Sequence, residues 1–111
     1  MRIVFMGTPD FALPSLERLL ADGHEVTLVV TQADKAVGRK QILTPPPVKQ
    51  LAVERGIPVF QPASMKTDET YDRLAAEKPD CIVVVAYGKI IPQRVLDLPQ
   101  YGCVNVHGSL L

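Results

Sequence analysis

Short apolar runs alternate along the chain with segments whose apolar residues recur every three or four positions, and that alternation predicts the architecture. Residues 2–6, "RIVFM", are apolar after their first position. A strand covered on both faces has this pattern, because neither face meets water. Gly7-Thr8-Pro9-Asp10 breaks the run. Ala12, Leu16, Leu19 and Leu20 then fall on one side of a helix, with Glu17, Arg18 and Asp22 on the other. Pro14 has no N–H to donate, so the helix is expected to start near it, after a separate turn over 8–11, and to stop at Gly23.

Residues 26–31 form the second strand in this pattern. The next stretch, 32–44, is irregular and carries Lys35, Gly38, Arg39 and Lys40. It is long for a strand-to-helix connection, and loops of that length are usually functional or mobile. Pro45-Pro46-Pro47 stiffens its exit. Val48, Leu51 and Ala52, opposed by Lys49, Glu54 and Arg55, predict a short helix closed by Gly56. Residues 57–60 make a short strand that Pro58 assigns to a sheet edge. A third helix spans 68–78 and ends at Pro79. The most strand-like run, 81–86, is the expected centre of the sheet. Tyr87-Gly88-Lys89 turns, 92–96 form one or two helical turns, and Gly102 opens a last strand over 103–106.

Right-handed crossovers through these units predict an α/β fold with a doubly wound, Rossmann-like parallel sheet of order 3-2-1-4-5. Ligands of such sheets bind beyond the carboxyl ends of the strands, where the order reverses. Three strand ends therefore matter: Gly7-Thr8-Pro9, Tyr87-Gly88-Lys89 and Asn105-Val106-His107.

Composition narrows the partners. A chain of 111 residues, 47% apolar and 22% charged, forms one globular domain, and 12 basic against 12 acidic residues produce no overall field. Any contact with nucleic acid must come from a local patch. Cys81 and Cys103 lie in apolar runs without Cys-x-x-Cys or Cys/His spacing, which fits reduced thiols in a cytoplasmic protein and no metal site. The first residues are too short an apolar run for a signal peptide, and nothing later approaches a membrane span.

Candidate chemistry sits at the strand ends. The first turn has one Gly and a Pro, not Gly-x-Gly-x-x-Gly, so it offers no evident cradle for a pyrophosphate. Asn105 and His107, two apart on a strand, share a face and could donate to one developing oxyanion; alternatively they bond nearby backbone. Lys35, Arg39 and Lys40 could contact phosphates, or form a solvated basic loop. Tyr87 with Ile90, Ile91 and Pro92 could wall a pocket for a flat ring, or pack under their own turn. His24 lies in a turn and is expected to be exposed and inert.

Taken together, "RIVFMGTPDFALPSLERLL", "TQADKAVGRK", "PPPVKQLA", "VVVAYGKIIP" and "GCVNVHGSLL" resemble, in order and spacing, the methionyl-tRNA formyltransferase family. The Asn-x-His-Gly-Ser-Leu-Leu segment is shared with the wider group of formyltransferases that use 10-formyltetrahydrofolate. The resemblance implies transfer of a formyl group from that donor to initiator methionyl-tRNA. It implies catalytic roles for Asn105 and His107, and folate contacts from Ala86, Tyr87, Gly88, Ile90, Ile91, Pro92, Ser109, Leu110 and Leu111. Lys35, Arg39 and Lys40 would reach the tRNA, and Gly7, Thr8, Pro9 and Phe11 would form the aminoacyl pocket. The family pattern continues beyond Leu111 to an Asp that orients the histidine, and then to a C-terminal domain. The chain is therefore expected to be a truncated catalytic domain, inactive alone, from a protein that is monomeric at full length. Another folate-dependent formyltransferase, a formyl-folate hydrolase or a non-catalytic RNA-docking module are the alternatives.

Overall fold

The apolar run at the start of the chain is buried from both sides. In β1, Arg2–Gly7, the side chains of Val4, Phe5 and Met6 are fully buried. Ile3 and Phe5 belong to one core cluster, Val4 and Met6 to another, as the period of a strand demands. The computed structural model describes residues 1–106. After β1 come a 3-10 turn, Asp10–Ala12, the helix α1, Leu13–Ala21, and β2, Glu25–Val30. Pro14 sits in the first turn of α1, where its missing N–H costs nothing.

A small pair follows, β3, Lys35–Val37, and β4, Ile42–Thr44, and then α2, Pro47–Glu54, and β5, Val59–Phe60. The remaining elements are α3, Asp68–Ala75, β6, Cys81–Val85, α4, Gln93–Leu96, and β7, Cys103–Val106. Thr67 caps α3, its hydroxyl accepting from the Thr70 N–H at 3.1 Å. Helix α3 stops at Ala75, short of the expected 78; Lys78 has a left-handed φ of 48° just before Pro79.

The main sheet is parallel throughout, with the order β5-β2-β1-β6-β7. Counting only its own strands along the chain, this is the expected 3-2-1-4-5. Helices α1 and α2 cover one face through Leu16, Val48, Leu51 and Ala52. Leu74 of α3 and Val95 of α4 belong to the cluster on the other face. The central strand is β1, whereas the pattern suggested β6. Both are buried on both faces, and an apolar run reports that cover rather than lateral position.

Residues 32–44 are more ordered than their composition suggested. β3 and β4 pair antiparallel, with Lys35 opposite Thr44, Ala36 opposite Leu43 and Val37 opposite Ile42. Gly38 and Gln41 take positive φ to close the turn. Strands of three residues, mostly exposed, leave too little burial contrast for a pattern to reveal.

Gly7 ends β1 where three elements converge. A Cβ there would lie 2.8 Å from the Val85 carbonyl oxygen, 2.9 Å from the Phe5 ring and 3.0 Å from the Ala12 Cβ. Two of these neighbours are a backbone atom and a buried methyl, which cannot swing aside. Gly7→Ala is therefore expected to destabilise the fold by about 1–3 kcal/mol, the range for overpacked interiors, measured by urea unfolding. An unchanged midpoint would show that β1 and β6 have slack at this point.

Candidate active site at the carboxyl ends of the strands

The parallel sheet delivers the ends of β1, β6 and β7 to one edge, and that edge holds a cavity of about 870 Å³. Its wall combines the turn after β6 with α4 and the end of β7. Ala86, Tyr87, Gly88, Ile90 and Ile91 line it together with Asn105. The register explains why Asn105 faces it. Asn105 pairs with Val84 and Cys103 with Ile82, so these side chains project toward the α3–α4 face, where the cavity opens. Pro92 lies outside the lining and serves instead as the residue before α4. Four residues that resemblance placed in the site, His107, Ser109, Leu110 and Leu111, lie outside the described residues.

The turn itself is held by its backbone. The Tyr87 carbonyl accepts hydrogen bonds from the Thr8 hydroxyl and from Gln32 Nε2, both at 2.9 Å. The Gln32 N–H donates in turn to Thr8 Oγ1 at 3.3 Å. Turns after β1, β2 and β6 are thus tied to one point. Ala86 enters this turn with a φ of 51°, uncommon for a residue with a side chain. Gly88 leaves it with a φ of 92°, and a Cβ there would sit 2.0 Å from Gln32 Nε2. Any side chain would displace the amide that holds Tyr87. Lys89 ties the turn to the segment after β5, donating to the Pro62 carbonyl at 2.9 Å.

Tyr87 divides between the two roles considered for it. Its ring is buried in the core, and its hydroxyl contacts Met65 Sδ at 3.3 Å. Ile90 and Ile91 supply the apolar wall instead, Ile90 being 86% exposed. The sequence reading missed two polar residues in the cavity, Gln93 and Asp97, which are joined by a hydrogen bond of 2.9 Å. Their spacing of four in a short helix was the only signal. Cys103 also lines the cavity and is only half-buried, while Cys81 is buried on the opposite face; burial pushes both thiols up.

Thr8 and Pro9 line a second, smaller cavity of about 230 Å³ with Lys35, Val37 and Pro45. Gly7 is buried in the strand end, and Phe11 is half exposed on the 3-10 turn. The basic residues Lys35, Arg39 and Lys40 are exposed on the β3–β4 hairpin, and among the described residues none of them forms an ion pair. Val37, Ile42 and Leu43 on the same hairpin are also exposed.

At the hairpin's root is a cluster that sequence reasoning did not single out. Asp34 accepts from Gln61 Nε2 at 2.8 Å and from Lys49 Nζ at 3.0 Å. Gln61 and then Lys49 hold its carboxyl below the usual carboxylate range. Among the described residues no three His, Cys, Asp or Glu side chains gather as a metal site, and no helix is long and apolar enough to cross a membrane.

Burial pushes the Tyr87 hydroxyl up to about 12, from an ordinary value of 10. The stability carried by the neutral buried phenol is complete below pH 10 and lost as pH rises from 10 toward 12. Urea unfolding across that window is expected to weaken with pH, and Tyr87→Phe to remove part of the slope. Equal slopes in both chains would clear the phenol of this role.

The whole chain, residues 1–111, matches the formyl transferase family. It is 58% identical over 110 residues to the methionyl-tRNA formyltransferase of Bacillus pumilus, covering 99% of this chain and 35% of the relative. The enzyme of that name from Bacillus subtilis is 56% identical, with the same coverage. That from Methylococcus capsulatus is 58% identical over 111 residues, covering 100% of this chain and 36% of the relative. The chain thus spans 35–36% of the length of these curated relatives. A family match along the entire sequence, on a sheet whose strand ends build one cavity around Asn105, leads to one conclusion: the chain belongs to the formyl transferase family.

Proposed function

We propose that this chain binds 10-formyltetrahydrofolate in the cavity beyond β6 and β7 and presents it to the amino group of initiator methionyl-tRNA. The observation that carries the reading is the union in one cavity of Asn105 with the Ala86–Ile91 turn, residues far apart in sequence. A volume of about 870 Å³ suits a small-molecule co-substrate, with Ile90 and Ile91 offering apolar contact and Asn105, Gln93 and Asp97 polar groups. The resemblance also assigns folate contacts to Pro92, which lies outside this lining, and to Ser109, Leu110 and Leu111, which lie outside the described residues. On this reading, residues 1–111 are the amino-terminal portion of a catalytic domain, which the coverage of the relatives supports.

The donor, when bound, supplies an activated formyl carbon. The protein's part is electrostatic and positional. Asn105 brings an amide N–H to the carboxyl end of β7, where it meets negative charge growing on an acyl oxygen. His107 follows two residues later and takes the second donor role, with proton movement from the attacking amine. A preorganised donor of this kind contributes about 2.7–4 kcal/mol. Lys35, Arg39 and Lys40 hold the tRNA phosphates, since side chains free of carboxylate partners meet phosphate without breaking an ion pair. Gly7, Thr8, Pro9 and Phe11, at the turn between hairpin and cavity, border the methionyl group.

The test uses the chain extended to the length of its relatives, supplied with formyl-labelled folate and methionyl-tRNA. Asn105→Ala and His107→Ala are each expected to lower kcat by about 10²–10³ with little change in donor binding. Unchanged kcat in both would leave a non-catalytic docking module. Label found on a nucleotide amine or released into water, and none on methionyl-tRNA, would assign another acceptor. The 111-residue chain alone is expected to transfer little or nothing.

A further inference from the structure

The β3–β4 hairpin forms its own two-stranded sheet and adds no strand to the main one. A hairpin of that size is marginal in water, so its direction must be set where its two stems meet the body. The first turns of α2 hold both stems. At the entry, Lys49 Nζ donates to the two Asp34 oxygens at 3.0 and 3.2 Å. At the exit, Gln50 Nε2 donates to the Pro45 carbonyl at 2.9 Å. Backbone bonding adds the turn after β1, the Val48 N–H reaching the Thr8 carbonyl at 3.3 Å.

Gln61, just after β5, closes this bracket. Its Oε1 accepts from Lys49 Nζ at 3.1 Å, and its Nε2 donates to Asp34 Oδ1 at 2.8 Å and to the Gln32 carbonyl at 3.0 Å. The orientation of the amide follows from its partners: an ammonium on one side, a carboxylate and a carbonyl on the other. Both amide hydrogens and the carbonyl are therefore engaged. Gln32 in turn donates to the Tyr87 carbonyl at 2.9 Å. An unbroken line of polar contacts runs from the turn lining the large cavity, through Gln32 and Gln61, to Asp34 at the root of the basic hairpin.

We propose that Gln61 is a positioning residue, which fixes the basic hairpin relative to the cavity by joining Asp34, Lys49 and Gln32 in one network. Its work is to hold an acceptor bound on the hairpin in line with a donor bound in the cavity. In this the inference rests on the functional reading above. Gln61 touches neither substrate; it acts through Asp34 at one end and Gln32 at the other. Glutamate at this position would keep the volume and lose both N–H donors, and would set a carboxylate against Asp34.

The experiment compares Gln61→Glu and Gln61→Ala with the unaltered sequence, in the chain extended to the length of its relatives. Two readouts are taken: amide hydrogen exchange over 35–44 against the rest of the sheet, and separate KM values for methionyl-tRNA and 10-formyltetrahydrofolate. In both variants, exchange over 35–44 and KM for methionyl-tRNA are expected to rise roughly ten-fold, with KM for the donor within about two-fold. Wild-type values in Gln61→Glu would overturn the proposal, because they would reduce Gln61 to a space-filling role. Faster exchange across the whole sheet would overturn it too, as ordinary destabilisation. If the Gln61 variants do not fold, Asp34→Asn at the hairpin root carries the same two readouts. Should the unaltered extended chain formylate no methionyl-tRNA, the functional reading fails, while exchange over 35–44 still decides whether Gln61 positions the hairpin.

Discussion

The carboxyl edge of this sheet is organised around one backbone carbonyl. Parallel strands bring their ends to the same side, but nothing in strand pairing fixes the loops that leave them. Tyr87 supplies that constraint by accepting from Thr8 and Gln32 at once. Each bond contributes about 1 kcal/mol net, modest against the whole fold. Their geometric effect is larger, because the three loops that border both cavities lose their independence. Ala86 and Gly88 meet the backbone requirement, one by adopting a left-handed φ and the other by leaving room for the Gln32 amide. Tyr87 anchors the turn a second time by burying its ring among Val84, Met65 and Val95.

This division between a rigid body and a decorated edge is the general logic of open α/β sheets. Here the body is two apolar layers either side of β1, and the chemistry is carried by polar groups that the layers hold out. Asn105 shows the connection most directly. It faces the cavity because Val84 beside it faces the core of the same side, so a packing register decides where an amide points. The hairpin extends the principle, since the residues that set its direction sit on α2 and after β5, elements the core already fixes.

Much of this was legible in the residues. Apolar runs marked every strand of the main sheet, crossover handedness gave their order, and strand ends marked the edge that holds the cavity. The asparagine and the isoleucine-rich turn, both read as lying at strand ends, line one cavity. What escaped is of a different kind. Gln32, Asp34, Lys49 and Gln61 are polar residues that look like solvated surface one at a time, and their partners lie 12 to 55 residues away. No period links them; only the completed fold does. The β3–β4 pair was hidden by its brevity, and the central position of β1 by the equal burial of β6. Tyr87 was ambiguous because its ring and its carbonyl do different things, and a sequence gives one letter for both.

The place of β1 at the centre also shapes how the chain acquires its structure. β1 precedes one of its two neighbours, β6, by three helices and several strands, with Ile3 paired to Cys81 and Gly7 to Val85. On a ribosome β1 must therefore wait for everything from α1 through α3, and for β6 itself, before both its edges are covered. Closing so long a loop is slow, and an uncovered parallel strand invites pairing with another chain. The early partner, β2, reaches β1 after only a short helix and shields one edge in the interval. Synthesis of this domain thus passes through a stage in which β1–α1–β2 stands with one apolar edge open, the stage at which a chaperone would matter most.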